Sequence, residues 1–243
     1  MCTVVLLHRP GHAWPLMLAA NRDERLDRPW DPPAEWWTAR PGVIGGRDRS
    51  AGGTWMAMNR PGMVAAILNR PGTLGPAAGK RSRGDLPLMA LEHDNARAAA
   101  KALAVLDAGE WRGFNMVLAD ARQAIFVRGV GHGRPVTMAL PAGVSMVTAH
   151  DPNDMESPRV ARHLARFQAA TAPDADDWAA WRSILSDRTG DAGEQINVVP
   201  RGGFGTVCSS MVALPSSGDP VWWFAAGPPD RAPFKVVADW DIG

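Results

Sequence analysis

The alternation of short apolar segments with turn sequences limits the folds that this chain can adopt. Apolar runs recur between Gly-Gly, Pro-Gly and Arg-Pro-Gly breaks, and two pairs of helical segments interrupt them. Short connections of this kind are typical of antiparallel sheets and not of alternating strand–helix–strand units. The predicted strands are residues 3–7, 14–20, 42–44, 54–58, 63–68, 114–119, 124–128, 136–140, 144–148, 206–214, 221–225 and 234–238.

Helical patterns occupy two regions of the chain. Residues 85–106 predict two consecutive helices, with Asn95 at the start of the second. Residues 157–170 and 176–186 predict a second pair, because apolar side chains recur there at spacings of three and four. The resulting order is strands, helix pair, strands, helix pair, strands.

This order predicts an α+β fold, a four-layer αββα sandwich of two antiparallel sheets. The segments richest in Pro and Gly, residues 27–46, 71–84 and 200–205, lie inside the pattern and not between two halves. We therefore predict a single domain over residues 1–243. Loops at 27–46 and 71–84 are the expected determinants of specificity.

Charge and hydropathy exclude several classes of partner. Lys plus Arg number 26 against 25 Asp plus Glu, so net charge does not favour nucleic acid, and a small-molecule substrate or ligand is expected. The apolar run from Thr3 to Leu7 ends at His8, which is too short for a signal-peptide core or a membrane span. We predict a cytoplasmic protein without membrane insertion. The six histidines show no metal-ligand spacing, so no metal site is predicted.

The chain contains two cysteines, Cys2 and Cys208. One bridge between them would be a poor framework for a chain of this length, so both are predicted to be free thiols. Removal of Met1 would leave Cys2 with a thiol and an α-amine of pKa about 7.7–8.0. That amine is a base built into the nucleophile, which is the arrangement of N-terminal nucleophile hydrolases.

A polar motif, Asn21-Arg22-Asp23-Glu24, closes the second predicted strand. The opening hairpin brings this motif back beside the first residue of the first strand. There Arg22 would favour a thiolate and Asp23 would orient the amine. A solvated turn is the alternative interpretation of four polar residues in this position.

Several motifs occur in a characteristic order in the first third of the chain. They are Met1-Cys2, Asn21-Arg22-Asp23-Glu24, Arg28-Pro29, Gly45-Gly46-Arg47-Asp48, Gly52-Gly53-Thr54-Trp55, Ala65-Ala66-Ile67-Leu68-Asn69-Arg70 and Ser82-Arg83-Gly84. With these motifs the chain resembles the NRDE family, also called the transport and Golgi organisation protein 2 family, closely over residues 1–85 and more loosely to its C-terminus. The resemblance implies the N-terminal nucleophile hydrolase fold and kinship with choloylglycine hydrolases and penicillin V acylases.

The resemblance also assigns roles by position. Cys2 would be the nucleophile, Asp23 the partner of its amine, and Asn69 a donor of the oxyanion hole. His150 stands where relatives carry an Asn, and would donate a hydrogen bond in its place. The candidate catalytic residues are thus Cys2, Asn21, Arg22, Asp23, Asn69 and His150.

Three positions depart from the related patterns. Ala20 replaces the Arg that precedes the Asn in the acylases, His150 replaces an Asn, and Val207 follows Gly205-Thr206 where relatives show an Arg. These departures bear on the efficiency of catalysis more than on the fold.

Two functions follow as hypotheses. The first is an amidohydrolase that cleaves a non-peptide C–N bond with Cys2 as nucleophile and requires no cofactor. The second is a non-catalytic protein that binds and transports haem or an acyl-CoA or lipid ligand, because the family is associated with those ligands. Tryptophan pairs at 36–37 and 222–223 would then wall an apolar cleft, although such pairs are also typical of cores.

Overall fold

The computed structural model describes residues 2–237. The described strands are β1 (Thr3–His8), β2 (Leu16–Arg25), β3 (Trp30–Ala34), β4 (Ile44–Asp48), β5 (Thr54–Met58), β6 (Val64–Asn69), β7 (Phe114–Ala119), β8 (Ala124–Gly129), β9 (Val136–Ala139), β10 (Gly143–Val147), β11 (Phe204–Leu214), β12 (Val221–Ala225) and β13 (Phe234–Val236). The described helices are α1 (Asp85–Ala90), α2 (Ala96–Leu103), α3 (Pro158–Ala169) and α4 (Ala179–Leu185), with a 3₁₀ turn at Ala108–Glu110.

The described residues form two compact units. The first comprises residues 2–28 and 141–237, and the second comprises residues 29–140. The first contains a six-stranded antiparallel sheet in the order β10-β1-β2-β11-β12-β13, and the second a seven-stranded antiparallel sheet in the order β3-β4-β5-β6-β7-β8-β9. The single-domain interpretation stays a prediction.

The core of the first unit lies between its sheet and helices α3 and α4. Alternate residues of the strands, such as Val5, Met17 and Met211, cluster with Phe167 and Trp181 of the helices. Because side chains alternate along a strand, Thr3, Asn21 and Asp23 also belong to this helix-bearing face. The alternating pattern thus buries polar groups under the helices at one end of the sheet.

The core of the second unit is built in the same way. Ala65 and Ile67 of β6 and Met116 of β7 cluster with Leu86 of α1 and Leu103 of α2. Asn95 caps α2, and its side chain accepts a hydrogen bond from the Ala98 amide at 2.9 Å. The predicted start of the second helix at Asn95 is therefore confirmed.

One glycine contact explains how β5 approaches the helices. A Cβ on Gly53 would lie 2.5 Å from the backbone carbon of Gly84, and the Thr54 amide donates to the Gly84 carbonyl at 3.0 Å. The start of β5 and the start of α1 pack backbone to backbone at this point, and a side chain would separate them.

Three segments differ from the sequence-based strand assignments. Strand β4 begins at Ile44 and includes Gly45-Gly46, which the sequence predicts to be a turn after a strand at 42–44. The predicted loop at 27–46 contains β3, whose two prolines argue against a strand; they are tolerated because β3 is an edge strand. The polar motif lies within β2, not after it, because β2 pairs with β1 and β11 as far as Arg25. Ala238, the predicted end of the last strand, lies outside the described residues.

The predicted α+β class with two antiparallel sheets is confirmed. Both helix pairs occur at the predicted places in the chain. No helix within residues 2–237 is long and apolar enough to cross a membrane.

Candidate active site

Cys2 lies immediately before β1 and is half-buried. Its Sγ donates a hydrogen bond to the backbone carbonyl of Asp23 at 3.7 Å. Removal of the sulfur from water raises the pKa of the Cys2 thiol, and the negative charge of Asp23 adds to the effect. The thiol is therefore protonated at neutral pH and needs a base before it can act as a nucleophile.

The Asp23 carboxylate is held from both sides on the helix-bearing face. Its Oδ2 accepts a hydrogen bond from Nη1 of Arg159 in α3 at 3.0 Å, and its Oδ1 accepts one from Oγ1 of Thr206 in β11 at 2.6 Å. The Asp23 and Arg159 side chains are 0% and 3% exposed. Bonds between buried, oppositely charged groups are short and strongly oriented, so this carboxylate has one position.

A β-bulge at Val207 makes this arrangement possible. Thr206 pairs with Asp23, whereas Cys208 pairs with Arg22 and Ser209 follows in register, so Val207 is an extra residue in β11. Without an extra residue, side chains at 206 and 209 would point to opposite faces of the sheet. With it, Thr206 and Ser209 both reach the polar groups of β2.

The side-chain amide of Asn21 makes three hydrogen bonds on the helix-bearing face of the sheet. Its Nδ2 donates to the carbonyls of Leu185 at 3.0 Å and Ile196 at 2.9 Å, and its Oδ1 accepts from Ser209 Oγ at 2.6 Å. These bonds tie β2 to the end of α4 and to the segment that follows. They favour a positioning role for Asn21 over contact with a substrate.

Arg22 lies on the opposite face of the sheet from Asp23. The alternation along β2 places it beside Cys208 of β11 and, when the β1–β2 register is continued past Thr3–Asn21, beside Cys2. Its Nη2 lies 3.7 Å from Glu24 Oε2. The positive charge of Arg22 opposes the stronger effects that raise the pKa of the Cys2 thiol.

Both cysteines are free, as predicted. Cys208 is buried, and burial raises the pKa of its thiol to about 12. Cys2 directly precedes β1 and Cys208 lies in β11, and these two strands flank β2, which implies a backbone separation of about 9.5 Å. Because a disulfide needs Cα atoms within about 7 Å, this geometry excludes a bridge between them.

His150 follows β10 near the same end of the sheet. Its Nδ1 lies 3.4 Å from Oδ2 of Asp154, and its backbone amide donates to Thr148 Oγ1 at 3.4 Å. A neutral ring that donates its Nδ1 proton to Asp154 has only an acceptor at Nε2. In that form the ring lacks the donor that an oxyanion requires.

Asn69 belongs to the second unit, as the last residue of β6. It is half-buried, and its strand partner Phe114 belongs to the core under α1 and α2. The next residue, Arg70, donates to Oδ1 of Asn115 at 2.6 Å. Cys2, Asn21, Arg22, Asp23 and His150 share the first unit, whereas Asn69 does not.

The basic side chains of Lys80 and Arg83, before α1, and of Arg112 bind backbone carbonyl groups of the same unit. Arg83 donates to the Thr73 carbonyl at 2.6 Å, and Arg112 donates to the carbonyls of Leu74 at 2.7 Å and Gly72 at 2.8 Å. Two guanidinium groups therefore clamp the backbone of the loop that follows Asn69. Lys80 likewise donates to a backbone carbonyl, that of Gly109.

Sequence reasoning missed four polar residues that support Asp23 and Asn21: Thr3, Arg159, Thr206 and Ser209. All four are buried. A charged residue at the start of a helix normally indicates solvent exposure, so Arg159 gave no signal. Thr206 was noticed only as part of Gly205-Thr206, and the bulge that orients it has no sequence signature.

Solved structures identify the class of fold. The N-acylethanolamine-hydrolyzing acid amidase ortholog of Caenorhabditis elegans matches with a TM-score of 0.59 and 11% identity, over 98% of this chain and 100% of that one. Two variants of conjugated bile acid hydrolase from Clostridium perfringens match with TM-scores of 0.53 and 0.51, at 12% and 11% identity, over 98% of this chain and 97% of theirs. The chain has the N-terminal nucleophile hydrolase-like fold.

Sequence comparison then identifies the family. The family model Transport and Golgi organisation 2 matches residues 1–220, and the chain belongs to that family. The Transport and Golgi organization protein 2 homologs of Bos taurus and Homo sapiens are 32% identical over 129 residues and 31% identical over 133 residues. These matches cover 49% and 51% of this chain but 45% and 47% of the relatives. The chain thus spans about half the length of the curated relatives it matches.

Proposed function

We propose that this chain is a cysteine amidohydrolase that cleaves a non-peptide C–N bond, with Cys2 as the nucleophile after removal of Met1. The observation that carries the proposal is the Cys2 Sγ at 3.7 Å from the carbonyl of Asp23, a residue whose carboxylate is itself buried and fixed. In an N-terminal nucleophile the α-amine of the same residue is the base for the thiol, and the fixed carboxylate of Asp23 belongs to the strand next to Cys2.

The first step is proton transfer from the thiol to the α-amine of Cys2. The raised pKa of the Cys2 thiol means that this step needs a nearby base. When the β1–β2 register is continued past Thr3–Asn21, Cys2 stands opposite Arg22, so its α-amine would lie within one residue of Asp23 along β2. The carboxylate would stabilise the ammonium group that results.

The thiolate then attacks the amide carbonyl carbon and forms a tetrahedral oxyanion. This oxyanion needs a hydrogen-bond donor, and one such donor is worth about 3 kcal/mol. Collapse breaks the C–N bond, and the leaving amine takes the proton from the ammonium group. Water, deprotonated by the same amine, hydrolyses the thioester and releases the carboxylic acid and the Cys2 thiol.

The names of the structural neighbours supply two substrate classes for the test, N-acylethanolamines and conjugated bile acids. Hydrolysis of a panel containing both classes and simple N-acyl amino acids is measured with the parent chain, Cys2→Ala and Cys208→Ala. The proposal expects activity in the parent and in Cys208→Ala, and none in Cys2→Ala. Equal hydrolysis by the parent and Cys2→Ala would refute it.

The rival proposal is that the chain binds haem or an acylated ligand without catalysis. Its tryptophans at 36 and 37 donate to the carbonyls of Pro32 and Gly52, each at 2.9 Å, which gives both rings a local structural role. Stoichiometric haem binding that is lost in Cys2→Ala, without hydrolysis of any amide, would favour the rival. The absence of a required cofactor and the cytoplasmic location stay predictions.

A further inference from the structure

Arg159 is the second residue of α3, and its side chain is buried. Ser157 caps this helix by accepting a hydrogen bond from the Val160 amide, and Pro158 is its first residue. Arg159 is only 2% exposed. A guanidinium group is rarely buried so completely unless it pairs with a specific acceptor.

One nitrogen of Arg159 bridges the first two strands. Its Nη1 donates to Oγ1 of Thr3 at 2.8 Å and to Oδ2 of Asp23 at 3.0 Å. Thr3 follows Cys2 in the chain, and the Asp23 backbone carbonyl accepts a hydrogen bond from the Cys2 thiol. Both residues held by Arg159 are therefore direct neighbours of Cys2.

We propose that Arg159 is a positioning residue for Cys2. It acts by holding Thr3 and the Asp23 carboxylate in one fixed geometry. The proposal rests on the proposed function in taking Cys2 as the reactive group. Arg159 itself lies beneath the sheet, on the face opposite Cys2, so it acts through these two residues and not on a substrate.

The electrostatic setting indicates what Arg159 contributes. The charged or titratable groups around the Cys2 thiol are the amino group of the chain, Arg22 and Asp23 of β2, and Cys208 of β11, with Arg159 of α3 behind Asp23. The Asp23 charge disfavours the Cys2 thiolate. A cation bound to Asp23 offsets that charge, so loss of Arg159 would make the thiolate harder to form.

The test measures alkylation of Cys2 by iodoacetamide between about pH 6 and about pH 11.5, because the pKa of the Cys2 thiol is raised. It uses the full chain after Met1 removal, with Cys2 and Cys208 distinguished by peptide mass. Arg159→Met is expected to slow alkylation about tenfold at pH 7.5 and to raise its pH midpoint by about one unit. Arg159→Lys keeps the charge and should return the midpoint to within about 0.3 units of the parent. Arg162→Met, on the same helix but paired with Glu194, is the matched control and should change nothing.

A second variant keeps the test decisive if Arg159→Met does not fold. Thr3→Val retains the Arg159–Asp23 ion pair and removes only the bond to the residue beside Cys2. It is expected to fold, as judged by circular dichroism, and to slow Cys2 alkylation at pH 7.5 about threefold or more. Unchanged alkylation in folded Arg159→Met, or in folded Thr3→Val where the first variant is unfolded, would overturn the proposal.

The readout separates this proposal from the proposed function. Alkylation reports the environment of Cys2 and does not require a substrate. If Cys2→Ala leaves amide hydrolysis intact, the amidohydrolase proposal fails, while the alkylation profiles still decide whether Arg159 positions Cys2.

Discussion

At the scale of single residues, Thr206 is the side chain that couples Asp23 to the neighbouring loop. Its hydroxyl donates to Asp23 Oδ1 at 2.6 Å and accepts from the Val198 amide at 2.8 Å. Thr206→Val keeps the shape but removes both bonds, and should lower the free energy of unfolding by about 2 kcal/mol. Urea denaturation measures this, with Thr137→Val on the exposed strand β9 as control, for which a change within about 0.5 kcal/mol is expected. Equal effects of the two substitutions would contradict the role of Thr206.

His150 provides a second test at this scale. His150 Nδ1 lies 3.4 Å from Asp154 Oδ2, and a neutral ring that donates there has only an acceptor at Nε2, whereas an Asn side chain carries an amide donor. His150→Asn should therefore raise kcat for amide hydrolysis by about tenfold, through an added oxyanion donor, with little change in KM. His132→Asn, at an exposed position, should leave kcat unchanged. A fall in kcat in His150→Asn would show that the imidazole itself is required.

At the scale of elements, the bulge in β11 shows where sequence reasoning ends. It is predictable that the motif Asn21-Arg22-Asp23-Glu24 lies near Cys2, because the turn and the apolar pattern of a hairpin determine which residues of β1 and β2 pair. It is not predictable that Thr206 and Ser209 point to the same face of the sheet. The extra residue Val207 reverses the faces to which all later side chains of β11 point. Arg159 is equally hidden, because its role depends on how α3 docks on the sheet.

The contact between β5 and α1 is a further test at the element scale. The Cβ of Gly53→Ala would approach the Gly84 backbone to 2.5 Å, and neither backbone can move without loss of the Thr54–Gly84 hydrogen bond. The substitution should lower the free energy of unfolding by about 1–3 kcal/mol. Gly193→Ala is the control, since its added Cβ would meet nothing nearer than 3.7 Å. A thermal midpoint of Gly53→Ala equal to that of this control would contradict the packing.

At the scale of the whole molecule, the fold class and helix pairs follow from the sequence because each depends on local periodicity and turns. The location of β3 does not follow, because its prolines match a loop and only its place at a sheet edge permits the strand. The candidate site is predictable at Cys2 and Asp23, which adjacent strands bring together. The buried polar groups behind them depend on contacts between distant parts of the chain, which local patterns do not encode.

The pH dependence of stability is a property of the whole molecule that one buried histidine should dominate between pH 6.5 and pH 4. Burial lowers the pKa of His163 from 6.5 to about 4, although its Nε2 donates to the Glu194 carbonyl at 2.9 Å. Below pH 6.5 His163 binds a proton in the unfolded chain, whereas in the folded chain it stays neutral down to about pH 4. The free energy of unfolding should therefore fall by about 3 kcal/mol between pH 6.5 and pH 4.

The charged groups around His163 are Arg162, Arg166, Asp187 and Glu194. Arg166 lies against the other ring nitrogen, and the pKa of Asp187 is lowered to about 2, so that carboxylate titrates below this window. Urea titrations at a series of pH values should show a shallower decline in His163→Gln and an unaltered one in exposed His132→Gln. The same decline in both variants would assign the effect to other groups.

The central claim is that Cys2, with a free α-amine, is the nucleophile of an amidohydrolase. The most direct measurement is the intact mass of the purified protein, alone and after acid quench during incubation with the N-acyl panel. The account predicts a mass that lacks Met1 and gains one acyl group, located at Cys2, during turnover. A mature protein that retains Met1, or turnover without any adduct at Cys2, would contradict it.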